Sequence, residues 1–335
     1  MWLRSSRAAA SASSTDSLGF SLVGSPRFQP FSALLHTLPE RFFMPLIRSS
    51  PCKVNLLLNI LGRRSDGFHD LETLFHPVPL CDELTFEMDL SPGIHVTCDH
   101  PELPTDRGNL VVRAAEQFLA EAQRTEQGVR IHLTKRIPLA AGLGGGSSNA
   151  AQTLVGMNDL LGRPLGIDRL DRLAAALGSD VNFFLQDQPA RATGRGERVE
   201  PMAPFEALRG CGMILYHPGF GISTAWAYRE LAQYPEALNG RPGRVEALER
   251  ALRSGDLAEA GRHFYNSLEA PALHKYPVLE LYQRFFREHG AWAALMSGSG
   301  STTFALFPDV VTAQAVVAPF EACFGAGGWM QVVRL

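Results

Sequence analysis

PLAAGLGGGSSN, residues 138–149, is the stretch of sequence that decides the fold. Four of its glycines fall within five residues, at positions 142 and 144–146. Glycines allow backbone N–H groups to turn toward an anion, and the start of a helix adds unpaired N–H donors. We predict a helix over residues 147–161, with Ser147 and Ser148 capping it and offering hydroxyls to phosphate or Mg²⁺. The stretch therefore indicates a phosphate-binding loop, the alternative being a flexible surface turn.

Two better-known phosphate-binding motifs do not fit this stretch. A Walker A loop needs a lysine beside its terminal hydroxyl, but Asn149 follows Ser148. A Rossmann fingerprint needs an acid about 20 residues on at the end of a second strand. Asp168 is at a suitable distance but precedes a predicted helix. The loop consequently indicates a different class of nucleotide-binding protein.

A second motif precedes the loop and contains a lysine in an apolar strand. SPCKVNL (residues 50–56) begins a predicted strand over residues 53–61, and Lys53 and Asn55 share one face because side chains repeat every two residues. A buried lysine needs a partner, and the alternative is a solvated lysine on an edge strand. The turn at Asp66 leads into Phe68 and His69, which on their own would indicate ordinary packing.

Two further motifs follow the loop. In GSDVNFFL (residues 178–185) the acid Asp180 enters an apolar run directly after a predicted helix, a pattern also typical of a turn aspartate. In MSGSGSTTF (residues 296–304) small residues at a strand turn permit close approach of a ligand or another backbone. Taken alone, Asp180 is better explained as a turn or helix-capping aspartate.

The pattern of elements indicates an α+β fold, because strands and helices mix without strict alternation. Predicted helices include 109–123, 169–177, 224–233 and 256–267, and a non-periodic stretch near residue 200 predicts a boundary between domains 44–200 and 201–335. The net charge of −3 gives no reason to expect a nucleic-acid or membrane partner. No apolar run reaches the ~18 residues of a membrane span. Five scattered cysteines argue against a disulfide framework and favour a cytoplasmic protein.

Residues 1–43 differ from the rest of the chain. They are rich in Ser, Ala and Arg, contain only Asp16 and Glu40 as acids, and show no periodicity. A transit peptide has this composition. The alternative, which we favour, is a disordered leader with translation starting at Met44.

The motifs PCKVNL, DGFH, PLAAGLGGGSSNAA, GSDV and MSGSG, in this order, resemble the GHMP kinase superfamily over residues 44–335. DGFH and HPGFGISTAWAY (residues 217–228) resemble its 4-diphosphocytidyl-2-C-methyl-D-erythritol kinase family most. The resemblance implies an N-terminal ribosomal protein S5-like lobe and a C-terminal ferredoxin-like lobe. It also implies ATP-dependent phosphorylation of the 2-hydroxyl of 4-diphosphocytidyl-2-C-methyl-D-erythritol in non-mevalonate isoprenoid biosynthesis, with Mg²⁺ expected and its ligands unknown.

The resemblance also implies residue roles. Asp180 is the expected catalytic base and Lys53 its partner. Asn55 and Thr224 are expected at the erythritol part, His69 at the cytosine edge, and Phe68 and Tyr228 on the cytosine ring. The expected ATP-phosphate loop consists of Pro138, Leu139, Ala140, Ala141, Gly142, Leu143, Gly144, Gly145, Gly146, Ser147 and Ser148.

Cys52, Asn182 and Ser301 depart from the usual family pattern, which leaves substrate affinity open. Two alternatives to this function also stay open. One is a GHMP kinase for homoserine, mevalonate or a sugar, which would have no use for a cytosine-reading His69. The other is a non-catalytic GHMP-fold sensor, which should have lost the base or the loop glycines. The sequence does not indicate an oligomeric state.

Overall fold

The computed structural model describes residues 44–335. The predictions made for residues 1–43 lie outside the described residues. The strands are β1 (Leu46–Arg63), β2 (His69–Asp89), β3 (Gly93–Cys98), β4 (Gly128–Thr134), β5 (Ala190–Gly194), β6 (Arg198–Pro201), β7 (Gly212–His217), β8 (Tyr265–Asn266), β9 (Ala293–Met296), β10 (Thr303–Phe307) and β11 (Trp329–Arg334).

The helices alternate irregularly with these strands. They are α1 (Leu110–Glu121), α2 (Gly145–Leu160), α3 (Ile167–Leu177), α4 (Thr224–Glu230), α5 (Pro235–Leu238), α6 (Arg244–Ser254), α7 (Leu257–His263), α8 (Glu269–Lys275), α9 (Val278–Glu288) and α10 (Val310–Phe324). Within residues 44–335, no helix is both long enough and apolar enough to cross a membrane. The mixed order confirms the predicted α+β class.

The strands form two sheets. The first has the order β3-β4-β2-β1-β8, with β5 beside β2 and β6 beside β5. The second has the order β11-β7-β10-β9 and is antiparallel. Strand β8 comes from the second half of the chain but pairs in parallel with β1 at Leu57 and Leu58. The domain boundary near residue 200 stays a prediction.

Apolar side chains fill three adjoining cores. Helices α1, α2 and α3 cover the first sheet, where Phe86, Phe118 and Leu154 are fully buried. A second core joins β1 to the second sheet, and includes Val54 and Phe304. Because this core draws on both sheets, it fixes β1, which carries Lys53, against the elements of the second sheet. The third core packs helices against the outer part of the second sheet.

Candidate active site

A single cavity of about 1130 Å³ contains most of the side chains that the sequence motifs singled out. Ligand pockets commonly have volumes of about 300–1,000 Å³, so this one is large enough for two ligands. Its wall combines the glycine loop, β1, the 63–69 turn, the start of α4 and the 297–301 turn. The predicted site residues on the wall are Lys53, Asn55, Phe68, His69, Pro138, Leu139, Ala140, Gly142, Gly144, Gly145, Gly146, Ser147, Asp180, Thr224 and Tyr228.

The glycine loop leads directly into α2, as predicted, but the helix begins earlier than expected. Gly144 is the N-cap, with φ of 71°, and no side chain caps the helix. A Cβ on Gly144 would lie 2.9 Å from the Phe184 ring and 3.1 Å from Lys53 Cε. Both the left-handed backbone and the close packing require glycine here. The prediction that Ser147 and Ser148 cap the helix is therefore wrong, because Gly144 already starts it.

Three residues of the predicted loop do not reach the cavity with their side chains. Ala141 and Leu143 are buried in the core behind the loop. Ser148 is fully buried, and its hydroxyl oxygen accepts a hydrogen bond of 2.8 Å from the Ser50 hydroxyl. The prediction that the Ser148 hydroxyl is offered to phosphate or Mg²⁺ does not fit this arrangement. Within the predicted loop, Ser147 is the residue on the cavity wall that carries a side-chain oxygen.

Lys53 and Asp180 form an ion pair at the base of the cavity. Lys53 Nζ lies 3.3 Å from Asp180 Oδ2, donates to Asn55 Oδ1 at 2.6 Å, and lies 4.9 Å from the centre of the Phe75 ring. The Lys53 side chain is 3% exposed, whereas that of Asp180 is 36% exposed. The Asp180 carboxylate is thus accessible from the cavity. The buried Lys53 ammonium forms a fixed positive charge beside it.

Both polar atoms of the Asn55 side-chain amide form hydrogen bonds within the protein. Its Oδ1 accepts from Lys53, and its Nδ2 donates to Thr73 Oγ1 at 2.8 Å. Thr73 in turn donates to the Leu57 carbonyl. Asn55 is 2% exposed. The amide therefore orients Lys53. Contact between Asn55 and the erythritol part of the substrate stays a prediction.

Two of the residues predicted to bind cytosine, His69 and Tyr228, lie close together on the cavity wall. The His69 and Tyr228 rings are 5.1 Å apart, centre to centre, with an interplanar angle of 37°. Burial, assisted by the charge of Arg63, lowers the pKa of His69. The imidazole is consequently neutral at pH 7 and can both donate and accept a hydrogen bond. Burial, with the charge of Asp180 adding to it, raises the pKa of Tyr228, whose hydroxyl stays protonated.

Thr224, the other predicted contact to the erythritol part, begins α4 behind the N-cap Ser223. Its hydroxyl shares a hydrogen bond of 2.8 Å with the Ser299 hydroxyl. The 297–301 turn also contacts the glycine loop, because Ser297 Oγ donates to the Gly142 carbonyl at 3.0 Å. The MSGSG motif therefore joins the loop to α4.

The comparisons with known proteins agree with this geometry. The GHMP kinases N terminal domain matches residues 109–195, and the GHMP kinases C terminal domain matches residues 247–326. The 4-diphosphocytidyl-2-C-methyl-D-erythritol kinase of Geobacter sp. (strain M21) is 38% identical, over 82% of this chain and 94% of its own length. That of Pelotomaculum thermopropionicum is 40% identical, over 80% and 91%. The chain belongs to the 4-diphosphocytidyl-2-C-methyl-D-erythritol kinase family.

Solved structures support the same family and the wider fold. A crystal structure of 4-(cytidine 5'-diphospho)-2C-methyl-D-erythritol kinase is 38% identical, with a TM-score of 0.72 over 86% of this chain and 98% of that one. A homoserine kinase from Cytophaga hutchinsonii is 22% identical, with a TM-score of 0.66 over 87% and 95%. The homoserine kinase shares the GHMP fold at an identity too low to indicate a shared substrate.

The sequence motifs missed charged residues on this cavity wall, among them Lys135, Arg195 and Arg229. Lys135 lines the wall beside the glycine loop and donates through Nζ to the buried Asp82 carboxylate. Asp82 Oδ1 also accepts from the backbone N–H groups of Arg136 and Ile137. Proximity of Lys135 to the glycine loop was the available signal. Arg195 also lines the cavity, and no sequence motif pointed to it.

Proposed function

We propose that this protein transfers the γ-phosphoryl group of ATP to the 2-hydroxyl of 4-diphosphocytidyl-2-C-methyl-D-erythritol. The observation that carries the proposal is the Lys53–Asp180 ion pair, which faces the glycine loop within one cavity. Phosphoryl transfer needs mainly positioning and charge stabilisation, with a carboxylate to accept the hydroxyl proton. The pair supports this chemistry, and the family relationship supports the substrate.

In this mechanism the residues act in three groups. Backbone N–H groups at Gly144, Gly145 and Gly146 bind the ATP phosphates, aided by the positive end of the α2 dipole. Asp180 accepts the proton from the substrate hydroxyl. Lys53 holds the carboxylate in position and stabilises negative charge on the reacting oxygen. Each group lines the same cavity.

The cytosine end determines which alcohol reaches this carboxylate. The neutral imidazole of His69 can pair with a pyrimidine edge, which presents both donors and acceptors. Stacking of an aromatic ring on a base contributes about 1–3 kcal/mol. Homoserine, mevalonate and simple sugars have no group that would use these residues.

Mg²⁺ belongs to the proposal through its role with ATP. No group of three acidic, His or Cys side chains suited to a metal occurs within residues 44–335, and Asp180 is the acid on the cavity wall. Such a donor set fits an ion held mainly by nucleotide phosphates, with Asp180 and the Ser147 hydroxyl as the available protein oxygens. When bound, Mg²⁺ would neutralise charge on the phosphates. We expect the reaction to occur in the cytoplasm.

The direct test is phosphorylation of 4-diphosphocytidyl-2-C-methyl-D-erythritol by protein that begins at Met44, with ATP and Mg²⁺. Homoserine, mevalonate and galactose serve as competing acceptors, and Asp180→Asn is the control for contaminating kinases. Phosphorylated product from the cytidine substrate alone is the expected result. Preferential phosphorylation of another acceptor, or ATP binding without transfer to any of them, would contradict the proposal.

A further inference from the structure

Arg195 stands at the tip of a tight turn between β5 and β6. The flanking Gly194 and Gly196 have φ of 71° and 105°, backbone conformations that favour glycine. The Arg195 N–H donates to Glu197 Oε2 at 2.6 Å, and the Gly196 N–H donates to the Thr193 carbonyl at 3.1 Å. These contacts fix the backbone, so that the half-buried Arg195 side chain is directed to the cavity wall.

The Arg195 guanidinium is held against an aromatic ring. Its central carbon lies 4.6 Å from the centre of the Phe68 ring, and Phe68 is 52% exposed. A guanidinium stacked on an aromatic face keeps its edge N–H groups free for a planar anion. Arg195 also covers one face of Phe68, so that a cytosine would stack on the opposite face.

Arg195 has one neighbour in each part of the proposed substrate site. Its neighbour Gly196 is beside the carboxylate, since a Cβ there would lie 3.9 Å from Asp180 Oδ1. Its side chain reaches Phe68, which precedes His69. In a cytidine diphosphate ester, the diphosphate lies between the base and the reacting alcohol. Arg195 therefore adjoins both the residues assigned to the reacting alcohol and an aromatic residue assigned to the base.

Arg195 differs from two other cationic residues on the cavity wall, because those two form ion pairs with carboxylates. Lys53 is paired with Asp180, and Lys135 with Asp82. Among the residues that the structure describes, Arg195 has no carboxylate within 4.0 Å of its guanidinium nitrogens. Asp66 is within electrostatic reach of Arg195, because hydrogen bonding from the Phe68 N–H and the charges of Arg64 and Arg195 lower the pKa of its carboxyl against the effect of burial. Arg195 nevertheless forms no ion pair, and arginine can bind phosphate oxygens through two N–H groups at once.

We propose that Arg195 binds the diphosphate of the cytidine substrate, with Phe68 holding its guanidinium in position. This inference rests on the proposed function, because only a nucleoside diphosphate ester places two phosphates at this point. Arg195 thereby separates cytidine diphosphate esters from neutral alcohols. It selects the substrate and takes no part in proton transfer.

Binding measurements on residues 44–335 test the proposal. Calorimetric titrations with cytidine, CMP and CDP compare the wild-type protein with Arg195→Ala, Arg195→Lys and Arg198→Ala. Arg198 is the matched control, because it lies on the same hairpin with the same charge but is exposed and off the cavity wall. We expect Arg195→Ala to weaken CDP binding by about 10- to 100-fold, the usual effect of losing a charged hydrogen bond.

Three further readouts make the result decisive. Cytidine and ATP affinities should change by less than about twofold in Arg195→Ala, and Arg195→Lys should show an intermediate loss for CDP because the charge remains without the planar fork. Unchanged CDP affinity in Arg195→Ala, or equal losses for cytidine and CDP, would overturn the inference. If one of these two outcomes is found but the wild-type protein phosphorylates the cytidine substrate, the proposed function stands and only the role of Arg195 is refuted. A wild-type protein that phosphorylates no cytidine substrate would refute both.

Discussion

Lys53 Nζ and Asp180 Oδ2 lie 3.3 Å apart, although the two residues belong to the first strand and to the turn after α3. The pair is asymmetric, since the lysine is almost completely buried and the aspartate is open to the cavity. An accessible carboxylate backed by a fixed positive charge can accept a proton without losing its position. Replacing either residue should therefore impair the chemical step.

Asp180→Asn keeps the shape of the side chain but cannot accept a proton. A well-placed general base contributes about 10²–10⁴-fold, so we expect kcat to fall by that factor with little change in substrate affinity. Steady-state kinetics together with calorimetric binding would separate the two effects. Full activity of the variant would exclude Asp180 as the base.

Lys53→Ala should also lower kcat, because it removes the charge that stabilises the Asp180 carboxylate and the reacting oxygen. The double variant with Asp180→Asn should be far from additive, since both residues act on one hydroxyl. A double-mutant cycle in kcat/KM measures this coupling. Additive losses would indicate that the two residues act independently.

Gly144→Ala should impair ATP binding. The new Cβ would meet the Phe184 ring and Lys53 Cε at a φ of 71°, so the loop must shift. Gly162→Ala is the matched control, because Gly162 has φ of 79° and a Cβ added there would have no neighbouring atom within 4 Å. We expect both variants to lose roughly 1 kcal/mol of stability from backbone strain, but only Gly144→Ala to lose ATP affinity. Equal ATP affinities would place the phosphates elsewhere.

His69→Ala should weaken binding of cytidine while leaving ATP affinity nearly unchanged. In the wild type, cytidine affinity should change little as the pH falls from 8 to 7, because the pKa of His69 lies below its ordinary value of 6.5. The affinity should drop only when the pH passes through that lowered pKa, since protonation removes the acceptor nitrogen. A pH series of titrations of the wild-type protein with cytidine tests the pH dependence. In His69→Ala, equal losses of cytidine and ATP affinity would contradict the assignment of His69 to the cytosine.

Glu269→Gln should change how stability depends on pH. Burial raises the pKa of Glu269 to about 7, although its carboxylate accepts from the Met296 N–H and the Gln283 amide. The folded state therefore holds a proton between pH 4.5 and 7 that the unfolded state has lost, and this contribution to stability disappears as the pH rises through 7. Stability of the variant relative to wild type should increase by roughly 1–3 kcal/mol between pH 5 and 8. Denaturant unfolding at both pH values measures the difference, and a constant difference would contradict it.

The sequence predicted the local elements of this fold better than their pairing. Helix α3 was predicted to within two residues, because apolar periodicity is a local property. The helix predicted over residues 256–267 is wrong beyond His263, where Tyr265 and Asn266 instead pair with β1. The short strands β5 and β6 were missed for the same reason, since their partners are distant in sequence.

The candidate site divides in a similar way. The order of the motifs indicated that Lys53, Asp180 and the glycine loop belong together, and the structure places them around one cavity. Burial of the Ser148 hydroxyl against Ser50 depends on how β1 packs on α2, which no local pattern records. The stack of Arg195 on Phe68 likewise joins two turns that are far apart in the sequence.

The glycine loop and the His69–Tyr228 cluster open into the same cavity of about 1130 Å³. A molecule that joins an adenine nucleotide to a cytidine nucleotide could therefore occupy both regions at once. Tethering makes the second contact intramolecular, which can raise overall affinity by about 10²–10⁴-fold when the linker spans the distance between the two regions. Bisubstrate compounds built on this plan would gain selectivity as well, because kinases without a pyrimidine-binding region could engage only one half.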